Sequence, residues 1–122
     1  MKLRFSTYDK KWSQLVRDRD SKCLCCGRQA PQYVLNAHHF KGRGIKPTRL
    51  MLENGITLCV MCHTWSSTFS AHKTPEAFKR WFMKAYPDRV KAIEAKAKTH
   101  MSERQAIEEF KSLYAQQHTD NL

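Results

Sequence analysis

Tyr8, Trp12, Leu15 and Val16 recur at the spacing of one helix face, which predicts a helix over 8–19 with Ser6 or Thr7 as its N-cap. Residues 33–40, YVLNAHHF, are apolar and β-prone enough for a short strand. Asn54-Gly55 is a turn signal, and Ile56 to Leu58 can pair with that strand as a second, antiparallel one. KGRGIKPTR, 41–49, reads as a basic loop between them. From Cys59 the pattern turns helical, with Met61, Trp65 and Phe69 on one face. The second half reads as helix throughout. Thr74-Pro75-Glu76 is an N-cap followed by Pro at the first helical position, ahead of the stripe Phe78, Trp81, Phe82 and Ala85. Pro87 ends that helix and opens the next, with Val90, Ile93 and Ala97. Ser102 and Gln105 fit a capping box before Ala106, Ile107, Phe110, Leu113 and Tyr114. These aromatic stripes are read as core, not as a ligand box. The class expected is a small α+β fold.

Size and charge then narrow the picture. At 122 residues one domain is the default, 1–122, with the tail 118–122 expected to fray. Hydrophobic residues at 41% suffice for a core, so wholesale disorder is excluded. No apolar run is long enough to span a membrane, and MKLRFSTYDKKW has no signal-peptide character, which argues for the cytoplasm. The formal charge of +11 suits a polyanion, nucleic acid ahead of a membrane surface. Most of the excess lies in residues 1–62, and all four Gly fall between 27 and 55. The middle of the chain is therefore where function is expected.

Cys23-x-x-Cys26 and Cys59-x-x-Cys62 form two knuckles separated by 32 residues. Two such pairs close one tetrahedral structural zinc site, Zn²⁺ being held by four thiolates. The rival readings are disulfides, which a cytosolic compartment disfavours, and buried unligated thiols. Cys25 is the odd one out and is read as a spare thiol. With every position filled by protein, such an ion is a staple, and its binding energy is folding energy.

His38, His39, Asn54 and His63 lie between and just after the knuckles. On a strand, His38 and His39 point to opposite faces, so one can face a metal while the other faces a substrate. Neutral His is both a base near pH 7 and a common ligand of divalent ions. Taken singly, each His is more often a surface or core residue than a catalyst, and Asn54 is most simply a turn residue. Two adjacent His and a third locked to a knuckle make a stronger pattern.

The order CLCCG, AHHFKGRG, TRLMLENGITLCVMCH resembles the HNH endonucleases of the ββα-metal class, above all small phage-type members with paired Cys-x-x-Cys knuckles. The likeness is dense from about Trp12 to His72, including the leading helix WSQLVRDRDSKC, and the following PEAFKRWF is similar too. It implies a ββα-metal nuclease core over 8–72, stapled by the zinc site and opening with the N-terminal helix, followed by a helical extension over 75–117. It also implies roles. His39 matches the general base, and Asn54 the residue whose amide holds the hairpin loop and orients that base. His38 and His63 match the ligands of a catalytic divalent ion, Mg²⁺, Mn²⁺, Ni²⁺ or Zn²⁺. His72 is a further candidate, as metal ligand or phosphate contact, ranked below His63. Lys41, Arg43, Lys46 and Arg49 are candidate phosphate contacts, with Arg49 open to the alternative of bracing the loop.

The function implied is hydrolysis of DNA phosphodiester bonds, by nicking or double-strand cleavage, leaving 5′-phosphate and 3′-hydroxyl ends. The rival is a zinc-stabilised nucleic-acid-binding module without catalysis. DNA is preferred to RNA on the resemblance alone, and the host cytoplasm would be bacterial if the chain is phage-derived. A phage or host protein partner, and monomer against homodimer, stay open.

Overall fold

The computed structural model describes residues 3–115, so the expected tail 118–122 and the last residues of the 75–117 extension lie outside it. Helix α1 (Phe5–Asp20) leads into an irregular segment and strand β1 (Leu35–His39). A short helix α2 (Lys46–Arg49) and a 3₁₀ turn (Leu52–Asn54) precede strand β2 (Gly55–Cys59). A single π-helical turn (Met61–Trp65) follows, then α3 (Pro75–Ala85), α4 (Pro87–Ala97), α5 (Glu103–Phe110) and a closing π-helical turn (Lys111–Ala115). This is a small α+β fold with a two-stranded antiparallel sheet, β1 and β2. Among the described residues no helix is long and apolar enough to cross a membrane.

The strands pair in the register Leu35 with Cys59 through His39 with Gly55. Each strand is slightly shorter or longer than the sequence suggests, because backbone pairing and not apolar content sets its ends. β2 is buried along its whole length. Its Gly55 has a steric reason: a Cβ there would overlap the Val16 side chain and lie 2.8 Å from Trp12 Cζ2. The hairpin can therefore press directly on α1. Trp12 completes the contact by donating its indole N–H to the Met51 carbonyl at 3.0 Å.

Two apolar clusters flank the hairpin. One joins Ile56 and Leu58 to Phe78 and Phe82 of α3 and to Val90 and Ile93 of α4. The other joins Phe5, Trp12 and Val16 of α1 to Leu50, Ala106, Ile107 and Phe110. At roughly 1.5–3 kcal/mol for each large side chain taken out of water, these contacts provide the main favourable term in folding.

Four local expectations need correction. α1 begins at Phe5, so Ser6 and Thr7 lie inside it; the Phe5 N–H is satisfied from α5 by the Glu103 carboxylate at 2.7 Å. The segment 41–49 is not all loop, since Pro47 sits in the first turn of α2. The run after Cys59 makes one π-helical turn and no longer helix, leaving Met61 and Trp65 exposed. Thr74 holds the N-cap position of α3 with Pro75 next, as expected, but its side chain does not cap, because its hydroxyl accepts from the Ser70 N–H at 2.8 Å and donates to the Ser70 carbonyl at 2.9 Å. The capping box forms as expected, with Ser102 and Gln105 bonded reciprocally.

Candidate functional site

The four cysteines of the knuckles meet at one end of the hairpin, where β1 starts and β2 stops. Their sulfurs all lie within 4.8 Å of one another, and Cys26 Sγ is 3.6 Å from Cys59 Sγ. Thiolates 2.3 Å from a tetrahedral ion sit about 3.8 Å apart, so the group fits a zinc-type ion. The first knuckle closes by backbone bonds, Gly27 N–H to the Cys23 carbonyl at 2.9 Å, with Gly27 at φ 82°. Cys23, Cys59 and Cys62 are buried and Cys26 is exposed. Burial pushes the Cys59 thiol up, but bonds from the Cys62 backbone, Cys26 and Arg28 outweigh it and bring it to about 7. Burial raises Cys23, Cys25 and Cys62 instead. Arg28 adds a positive charge beside two of the sulfurs, 3.3 Å from Cys26 Sγ and 3.8 Å from Cys59 Sγ. Cys25 is not one of the four mutually close sulfurs, but its thiol bonds that of Cys62.

At the other end, the pleat of β1 sends His38 and His39 to opposite faces. His38 meets His63 and His72, with one ring nitrogen from each within 4.8 Å of the others. The ring of His38 also lies edge-on to Phe78, 5.3 Å between centroids. His63 and His72 approach to 3.1 Å between their Nε2 atoms. Backbone pairing delivers His72: Ala71 N–H donates to the Cys62 carbonyl at 2.8 Å, and His72 N–H to the His63 carbonyl at 2.9 Å. Nitrogens at 2.0–2.1 Å from an ion are spaced about 3 Å or a little more, so three neutral imidazoles here fit a divalent cation. Burial, and then the neighbouring histidines, hold His38 down to about 3; burial and then His72 hold His63 to about 4. Both are therefore neutral at pH 7, the form that can ligate a metal.

His39 has different company. Its ring stacks on Trp12, 3.8 Å between centroids and 12° from parallel, and its Nε2 lies 2.9 Å from the Arg49 carbonyl. A carbonyl can only accept, so Nε2 carries the proton and Nδ1 is left as the basic nitrogen. Burial lowers this group to about 4, so it too is neutral at pH 7.

Asn54 is fully buried and works as a brace, not as an exposed turn residue. Its Nδ2 donates to the carbonyls of Lys41 and Thr48, both at 3.0 Å, and its Oδ1 accepts from the Lys41 N–H at 2.7 Å. These bonds tie the end of β1 to α2 and hence fix the Arg49 carbonyl that orients His39. Sequence reasoning missed the two arginines behind this brace. Arg19 donates to the carbonyls of Leu52 and Gly55 at 2.8 and 2.7 Å, and Arg89 to those of Glu53 and Gly55 at 2.9 and 2.6 Å. Each lies in a helix whose pattern marks only its apolar face, so nothing in the local spacing singles it out.

The four expected phosphate contacts are divided. Arg49 is bound through two bonds to Asp9, at 3.1 and 2.7 Å, and lies over the Phe5 ring, which makes it a brace for the loop. Arg43 reaches the same carboxylate at 3.2 Å yet leaves 63% of its side chain exposed. Lys41 pairs with Glu94 at 2.9 Å. Lys46 is exposed.

His38 and His39 both open on one cleft of about 760 Å³. Ala37 of β1, His63 and His72, Gly42 and Arg43, and six residues of α1 between Asp9 and Arg17 also line it. Comparison of the chain with protein-family models, curated proteins and solved structures finds no match.

Proposed function

We propose that this chain is a metal-dependent DNA endonuclease of the HNH type, with a four-cysteine zinc staple beside a separate three-histidine metal centre. One observation carries the reading: of the adjacent histidines of β1, one joins a cluster of three imidazoles and the other is held by a backbone carbonyl, and both line one cleft. The hairpin followed by a helical turn bearing His63 supports a ββα-metal order. The Asn54 brace, in the position the resemblance implies, supports it again.

In this reading the scissile phosphate lies across the cleft between His39 and the three-histidine cluster. His39 Nδ1 takes the proton of the attacking water, a contribution on the order of 10² to 10⁴ in rate. The Trp12 stack and the Arg49 carbonyl hold that nitrogen in one orientation, so little reorganisation accompanies the transfer. His38, His63 and His72 would hold a divalent ion, which when bound would supply charge neutralisation at phosphorus and at the departing 3′-oxygen. Arg43, in the cleft lining, is the cation placed to meet a non-bridging phosphate oxygen or its neighbour.

Nicking of supercoiled plasmid tests the reading. Protein carrying its tightly held zinc and dialysed free of other ions should be inactive, and should nick when Mg²⁺, Mn²⁺ or Ni²⁺ is added. DNA binding without nicking under every ion would instead establish a zinc-stabilised binding module.

A further inference from the structure

Of the α1 residues that line the cleft, Lys10, Ser13, Gln14 and Arg17 form one stripe. The spacing i, i+3, i+4, i+7 puts these four on a single helix face. The buried face of the same helix is Trp12 and Val16, so the fold does not use the stripe for its core. Lys10, Gln14 and Arg17 are exposed. Among the described residues neither cation of the stripe forms an ion pair, and Arg17 bonds only within its own helix, Nε to the Ser13 carbonyl at 3.3 Å. The acidic residue in the cleft lining, Asp9, is already held by Arg49 and Arg43.

We infer that this stripe of α1 is a DNA-backbone clamp, in which Lys10 and Arg17 hold phosphates of the duplex on either side of the bond to be cut. The inference rests on the nuclease reading and adds residues to it. Seven residues of helix separate the two Cα atoms by about 10 Å. That separation exceeds the 3.4 Å axial rise per phosphate of one B-DNA strand, so the two cations would meet different phosphates. Ser13 and Gln14, between them, offer hydroxyl and amide groups for sugar or phosphate oxygens. The charge is complementary, since the cations of this stripe face space with no free carboxylate.

The test is the salt dependence of duplex binding by the zinc-loaded full chain in a His39→Ala background, which keeps the DNA intact. Lys10→Gln with Arg17→Gln should lower the slope of log K against log salt by about 1.8, because each phosphate contact contributes about 0.9. Lys84→Gln with Lys98→Gln, which remove two exposed charges outside the cleft, should leave the slope unchanged. No change in the first pair, or an equal change in both, overturns the clamp. If the parent chain binds no duplex DNA, the nuclease reading fails with it; if the parent binds and the Lys10/Arg17 variant keeps its slope, the clamp alone fails. Equal binding to an RNA duplex of the same sequence, with the same drop in slope, would overturn the assignment to DNA.

Discussion

The two ends of one hairpin carry two clusters of opposite character. At one end four sulfurs close on each other, three of them from buried residues, with Arg28 laid across two. At the other, three imidazoles converge at the edge of a cleft, His72 exposed and His38 and His63 half-buried. Cys62 and His63 are consecutive, so a single turn feeds both centres. In the proposed reading, the difference is what separates a staple from a reactive centre. Four protein ligands leave no open position, whereas three nitrogens beside open space do.

The largest way to break this comparison is at the closed end. Cys59→Ser should abolish tight zinc binding and with it the fold, because the ligand it removes is buried and the ion's binding energy is folding energy. Circular dichroism with metal analysis reads both; a folded, cooperative Cys59→Ser protein would show that the sulfurs are not a staple. His63→Ala should keep the zinc and the fold while weakening divalent binding in the cleft by at least tenfold. Equal loss of zinc in the two variants would merge the two centres into one.

A smaller effect is expected in the loop that joins the two strands, where Asn54 sits. Asn54→Ala leaves the carbonyls of Lys41 and Thr48 without their donor and should cost about 2–4 kcal/mol in urea unfolding. Because the same bonds fix the Arg49 carbonyl, nicking should fall further than stability alone explains. A cost within 0.5 kcal/mol would remove Asn54 from the brace.

The smallest effect concerns pH. His38, His39 and His63 sit at about 3 to 4 when folded, below the ordinary 6.5. The unfolded chain therefore binds more protons between these values, and stability rises with pH across that window. The contribution is complete above about pH 6.5 and is lost as pH falls toward the folded values. At constant zinc content, the melting temperature of His39→Gln should decline less between pH 7 and 5 than that of the parent. An identical decline would show that His39 is not kept neutral by its surroundings.

How much of this the sequence carries depends on how local each cause is. The knuckles, the opposite faces of His38 and His39, and the Ser102–Gln105 box follow from spacing alone, and the structure bears out those geometries. His72 joins its cluster through backbone bonds to a segment nine residues earlier, which no side-chain pattern reports. The end of α1 is capped by Glu103, 98 residues away, so a search for a local cap stops at Ser6 or Thr7. Asn54-Gly55 looks like a turn pair because each type is common in turns. Here one is a buried brace and the other makes room for Trp12 and Val16. Arg49 looks like a phosphate contact until Asp9, forty residues earlier, is seen to hold it.

The most direct measurement is plasmid nicking by the parent and by His39→Ala, each loaded with the same zinc and the same added divalent ion. The expected result is equal metal content, equal DNA binding, and a fall of about 10² to 10⁴ in the cleavage rate of the variant. Undiminished cleavage by His39→Ala would contradict the assignment of the base and with it the division of labour across β1.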